Sequence, residues 1–238
     1  MSLTPYSVVN KPTHMTTLQE RKAQERLARR RNIQEAAREV FADRGFASAS
    51  IEQIAKRAQL SVGAIYLYFR SKEDLYLSLL EDALTVFDAE LTQLRQNLPA
   101  GDRLRGAWNT LVAWAGRDAE GARILRALAQ PGIKDQLSDA VTATLAGGVN
   151  RVLEHLGACI ADGIHDGSFR SVNASEAADG AWAMFLGVLD ASATAKNLGL
   201  ARGTFAEQAD RAFSLYAGNL SATDTARNEH VARAAIVA

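Results

Sequence analysis

Between Ser50 and Leu75 the chain reads SIEQIAKRAQLSVGAIYLYFRSKEDL, a stretch whose residue types suit contact with a polyanion. Ser50 and Ser61 stand where a hydroxyl can accept from an orphaned backbone N–H and start a short helix. Bare N–H groups at such helix starts also attract phosphate oxygens. Gly63 and Ala64 are small enough for close backbone approach to a duplex, and Val62 or Ala64 can touch a thymine methyl. Tyr66 and Tyr68 carry hydroxyl donors for phosphate, Lys72 carries a charge, and Gln59 can add a hydrogen bond. Leu67 offers apolar contact only. The DNA-facing set is therefore Ser50, Gln59, Ser61, Val62, Gly63, Ala64, Tyr66, Tyr68 and Lys72. The same pattern also fits a plain helical corner in which the tyrosines cap a core.

Catalytic chemistry has no comparable signature. No activated nucleophile or carboxylate pair stands out, and Gly147-Gly148 lacks the Gly, Lys and Ser/Thr spacing of a phosphate loop. His155 and Cys159 lie at i and i+4, with Asp162, His165 and Asp166 downstream, a spacing that can gather a metal. A packed or solvated helix explains those residues more simply. No catalytic residue, metal ligand or cofactor is expected.

The elements that position the first stretch are helical. A helix over about 20–44 carries Ile33, Ala36, Ala37, Val40 and Phe41 at spacings of three and four, with Arg29, Arg30 and Arg31 ahead of that face and Gly45 as its stop. Helices near 51–57 and 61–67, joined by a short turn, make a helix-turn-helix. In DNA-binding versions the second helix enters the major groove. Ile65, Phe69 and Leu75 are spaced to fix the unit to the first helix. From Ser71, with Asp74 completing a capping box, one helix is expected to run to Leu98 as a rod about 40 Å long at about 1.5 Å per residue. Beyond Pro99–Gly101, helices are expected near 102–116, with Asp102 as N-cap, then 121–130, 133–165, 174–197 and 204–220. Almost nothing reads as strand.

The chain has 238 residues with equal numbers of basic and acidic groups, but they are unevenly placed. Residues 1–72 hold 13 Lys/Arg against 6 Asp/Glu, a balance of +7, and the remainder balances this at −7. A basic first third suggests that this part meets a polyanion. Hydrophobic residues make up 47% of the chain, enough for a sizeable core. No apolar run reaches the roughly 18 residues of a membrane span. The first twenty residues lack the apolar stretch of a secretory signal, and the one cysteine, Cys159, fits a reducing cytoplasm.

From Ile33 to Leu75 the sequence resembles the TetR family of bacterial transcription regulators. The resemblance rests on Ala37 and Phe41 before Gly45-Phe46, then Ser50-Ile51, Ile54-Ala55, Ala58, Ser61, Gly63, Tyr66, Tyr68-Phe69, Lys72-Glu73 and Leu75. It covers about 45 of the 238 residues. One departure is the turn, where the family usually has Gly then Val and this chain has Gln59 then Leu60. A non-Gly residue then stands where a positive φ is wanted.

The resemblance implies an all-α protein: a three-helix, helix-turn-helix DNA-binding domain over 20–70 and a larger helical ligand-binding and dimerisation domain over 71–220. Flexible tails would occupy 1–19 and 221–238. It implies a cytoplasmic repressor, not an enzyme, that binds a double-stranded, roughly palindromic DNA operator as a homodimer. A small-molecule effector would release it. The alternative is a DNA-binding regulator or architectural protein without an inducer. Helices 174–197 and 204–220 mix small residues with aromatics and can pair across a two-fold axis as a four-helix interface, or simply bury a monomer core. Trp108, Leu111, Trp114, Ile124, Leu128, Met184 and Phe185 can line a pocket for an apolar or aromatic ligand. Aromatics at helical spacing also serve as plain core.

Overall fold

The computed structural model describes residues 18–222, and among them the chain folds as ten α-helices. They are α1 (Leu18–Ser48), α2 (Ile51–Arg57), α3 (Val62–Tyr66), α4 (Lys72–Ser78), α5 (Leu80–Asn97), α6 (Ala100–Arg117), α7 (Ala119–Ala127), α8 (Asp139–His165), α9 (Ala174–Asn197) and α10 (Phe205–Leu220). A 3-10 turn over Ile133–Gln136 precedes α8. An isolated antiparallel bridge joins Phe169 to Ser221.

The head is built on the expected apolar face of α1. Ile33, Ala36, Ala37 and Phe41 are buried there, and Ile51, Ile54, Ala55, Ala58, Ile65 and Phe69 close over them. Gly45 sits inside α1 with φ 72° and ψ 160°, so the regular helix stops at the expected residue and one further turn follows. Phe46 and Phe41 stack around Tyr76 of α4, with ring centroids 4.6 and 4.9 Å away.

In the body, α8 runs through the middle and packs on α5, α6 and α9, while α10 closes against α9 and α6. Gly148 permits the α5–α8 approach: a Cβ there would lie 2.6 Å from Cδ1 and 2.9 Å from Cβ of Leu84. Trp108 stands against Phe213 and Phe185, with centroids 5.1 and 6.0 Å apart.

Several expected boundaries move. The rod expected over 71–98 is two helices joined at Leu79. Ser78 Oγ donates to the Leu75 carbonyl at 2.7 Å, and Leu79 N–H turns to the Tyr76 carbonyl. From α1, Gln34 donates to the Ser78 carbonyl and Arg38 to the Leu79 carbonyl, at 3.1 and 3.2 Å. Side chains thus take carbonyls that a continuous ladder would use. Arg30 grips Glu81 with both terminal nitrogens beside the same joint.

Likewise, the single helix expected over 133–165 is a 3-10 turn, an extended Leu137 and then α8, capped by Ser138. Asp102 lies in the first turn of α6 rather than at its cap, because the helix begins directly after Pro99. Residues 18 and 19, placed in the tail 1–19, belong to α1. Ser221 and Ala222, placed in the tail from 221, are held by the loop after α8, where Ala222 N–H donates to the Ser168 carbonyl. The remaining tail expectations, for 1–17 and 223–238, lie outside the described residues.

Candidate nucleic-acid interface

Two serine caps set the helix-turn-helix. Ser50 Oγ accepts from Gln53 N–H, and Gln53 Oε1 accepts from Ser50 N–H at 3.1 Å, a reciprocal capping box. Ser61 Oγ accepts from Ala64 N–H at 3.2 Å and opens α3. Between the helices Gln59 holds φ at 56°, the one positive φ outside glycine among the described residues. The turn demands this value because Leu60 N–H must reach back to the Ala55 carbonyl, at 2.9 Å. An L side chain in that region costs on the order of 1 kcal/mol.

Helix α3 then divides by face. Ile65 is wholly buried, and Val62 is half-buried against the core. Ser61, Gly63, Tyr66 and Leu67 face solvent, with Tyr66 and Leu67 at 53% and 74% exposure, while Ala64 is half-buried. Gln59 is also exposed, and a Cβ at Gly63 would meet nothing within 4 Å. Eight of the expected DNA-facing residues therefore cluster on or beside α3 and the start of α2. Tyr68 is half-buried, with the Arg26 guanidinium 5.8 Å from its ring centroid.

Lys72 has a second engagement. Its ammonium donates to the Phe46 and Ala49 carbonyls at 3.0 and 3.1 Å and lies 4.4 Å from the Phe46 ring centroid. Those carbonyls belong to the chain end left open after the Gly45 kink. Two of its three N–H donors thus fix the head to α4.

The link from head to body is a set of residues that local spacing did not reveal. Asp74 is fully buried, and its carboxylate accepts from Arg70 N–H at 2.8 Å. Its other oxygen accepts from Ser138 N–H and Ser138 Oγ, both at 2.9 Å. The capping box expected at Ser71 is only half present, because Ser71 Oγ accepts from Asp74 N–H while the carboxylate is spent elsewhere. Ser71 Oγ and Arg70 donate to the Gln136 and Leu137 carbonyls at 2.8 and 3.2 Å. Tyr76 Oη donates to Glu120 at 2.6 Å, and burial, then that hydrogen bond, pushes its phenol well above the usual range.

The residues expected to line a ligand pocket divide between packed core and cavity wall. Trp108, Leu111, Ile124 and Phe185 are packed into the body core, Trp114 lies edge-on to Phe87, and Met184 is half-buried. Trp108 Nε1 is a buried donor without an acceptor among the described residues. Leu128 lines an apolar cavity of about 310 Å³ with Leu125, Val149, Trp182 and Leu186. Beyond the Arg126–Asp190 pair lies a cavity of about 590 Å³ where Phe46, Tyr76 and Leu77 face Arg123, Ala127 and Ile133. His155 bonds Asp88 at 2.9 Å, and burial pushes the Cys159 thiol up to about 11. The described residues hold no group of three or more potential metal ligands, and none of their helices is long and apolar enough to cross a membrane.

Residues 33–79 match the family model described as bacterial regulatory proteins, tetR family. The HTH-type transcriptional activator FasR of Mycolicibacterium smegmatis is 35% identical over 98 residues, 41% of this chain. The matched stretch spans 45% of that relative's length. Among solved structures, the MbdR regulator from Azoarcus sp. CIB superimposes with a TM-score of 0.60 at 25% identity, over 81% of this chain and 98% of that one. The regulator FadR from Bacillus subtilis, in complex with stearoyl-CoA, reaches 0.62 at 19% identity, over 79% and 98%. The match over 33–79 and the capped helix-turn-helix agree that this segment is of the TetR-family type, and the all-helical body shares its fold with the solved regulators.

Proposed function

We propose that this chain is a cytoplasmic DNA-binding transcriptional regulator that sits as a homodimer on a palindromic operator, acts there as a repressor, and leaves when a small apolar or aromatic ligand binds. One observation carries the reading: α3 is anchored by Ile65 and turns Ser61, Gly63, Tyr66 and Leu67 outward. Such a helix can enter a major groove with its first turns against base edges. The head over 20–70 is taken as the DNA-binding unit and 71–220 as the effector and dimer unit.

Helices α9 and α10 are assigned to the dimer. Leu215 on α10, and Leu198 and Leu200 in the loop that joins the two helices, are 75%, 66% and 65% exposed, apolar surface that a second copy would cover. The apolar cavity at Leu128 and Trp182 supports an apolar effector. FadR of Bacillus subtilis, similar in fold, is in complex with stearoyl-CoA, so an acyl chain is one class to offer. The second reading, a DNA-binding regulator without an inducer, is favoured by the filled core at Trp108, Leu111, Ile124 and Phe185.

Selection of bound duplexes from a random pool, with sedimentation of the free protein, tests the proposal. The expected outcome is a dimer that selects an inverted repeat whose half-sites lie about 34–36 Å apart. Repeating the selection with long-chain acyl-CoA and with aromatic acids separates the two ligand readings. A monomer with no preference for any inverted repeat overturns both.

A further inference from the structure

Helix α1 changes character at Ile33. None of its residues from Leu18 to Asn32 is buried, although the helix is continuous into the buried face that starts at Ile33. A short helical stretch that buries no side chain, with Leu18 and Leu27 both exposed, is marginal alone in water. Its charge is also unbalanced, with Arg21, Lys22, Arg26, Arg29, Arg30 and Arg31 against Glu20 and Glu25.

Arg30 turns inward to Glu81. The other five cations make no ion pair among the described residues, while elsewhere Arg38, Arg57, Arg95, Arg103, Arg105 and Arg126 all do. The unpaired charges are placed beside the helix-turn-helix. Lys22, Arg26 and Arg29, with Glu25, line one groove together with Leu67 and Tyr68, the residues directly after α3. Arg26 lies over the Tyr68 ring.

We propose that residues 21–31 of α1 are a second DNA-binding element, a cationic strip that grips the sugar–phosphate backbone flanking the site met by α3. This rests on the DNA-binding reading above. Ten residues of helix span about 15 Å, on the order of four base pairs along a duplex axis. The contact is with charge and not with bases, because long flexible cations meet phosphates without reading sequence. Glu25 in the same groove would limit binding to a backbone phosphate close enough to outweigh it.

The test uses the full chain with R21Q, K22Q, R26Q and R29Q combined, Gln being a good helix former. Affinity is titrated against salt on the selected operator, once with flanks trimmed to the selected bases and once extended by several base pairs. The wild type should bind the extended duplex more tightly. The variant should lose that advantage, keep the same base preference, and show a log–log salt slope shallower by about 0.9 for each contact removed. A second variant, R21K, R26K and R29K, keeps the charge and should keep the slope and the flank advantage. If the glutamine variant matches the wild type in both readouts, the strip is refuted while the helix-turn-helix reading stands. If the wild type selects no duplex, the underlying reading falls and the strip with it.

Discussion

The head and the body use apolar residues differently. The head packs a small core of Ile33, Phe41, Ile54 and Ile65 and leaves Tyr66 and Leu67 of its recognition segment in solvent. The body buries Trp108, Phe185 and Phe213 around α8, with one cavity at Leu128 and Trp182 and another at its border with Phe46 of the head. A surface that must enter a groove has to be shaped before the partner arrives, so caps and a strained turn hold it. A body assigned to respond to a small molecule needs elements whose packing can change, and it meets the head through hydrogen bonds of Arg70 to Asp74, Gln34 to Ser78 and Lys72 to Phe46 and Ala49, beside the Phe41–Phe46–Tyr76 rings. Hydrogen bonds of fixed direction transmit orientation better than apolar contact, which tolerates sliding.

Breaking that junction should have the largest effect. Asp74→Ala strips acceptors from two backbone N–H groups and one hydroxyl, and roughly 2–4 kcal/mol of stability should go. The three tryptophans, Trp108, Trp114 and Trp182, all lie in the body. Their fluorescence in a urea titration should therefore part from circular dichroism, which follows both regions. Coincident transitions in the variant would mean that Asp74 does not couple head to body. Next, Gly148→Ala drives a methyl into Leu84 and should cost about 1–3 kcal/mol, seen by tryptophan fluorescence in the same titration. Unchanged stability would show that α5 and α8 can separate freely. The smallest effect is expected at the turn. Gln59→Gly should stabilise the head by up to about 1 kcal/mol by relieving the positive φ. A loss of operator affinity in that variant would assign the Gln59 amide a contact of its own.

Much of the head was legible beforehand. Ser50 and Ser61 could be read as caps because a cap is a local event between residues three apart. The strain at Gln59 could be read because the register left a non-Gly residue at the turn. The 71–98 rod could not be corrected from sequence. Its apolar periodicity runs through Leu79 undisturbed, and the groups that open the joint, Gln34 and Arg38, come from α1. Asp74 looked like half of a capping box, and its true partner Ser138 lies 64 residues away. Lys72 read as a phosphate ligand, and the carbonyls of Phe46 and Ala49 that hold it lie more than twenty residues away, at and just after the end of α1. Of the residues listed for the ligand pocket, Trp108, Leu111, Trp114, Ile124 and Phe185 are buried and Leu128 and Met184 half-buried, yet burial alone does not separate a filled core from a cavity wall.

By itself the sequence determined the helical class, the two capped helices and the basic character of the first third, since each depends on neighbours within about four residues or on composition. Only the tertiary structure decided where α4 ends, what Asp74 and Lys72 bind, and which cations stay unpaired. Those outcomes depend on groups brought together from distant parts of the chain, and the energy of a buried charge or carbonyl is set by whatever faces it in space.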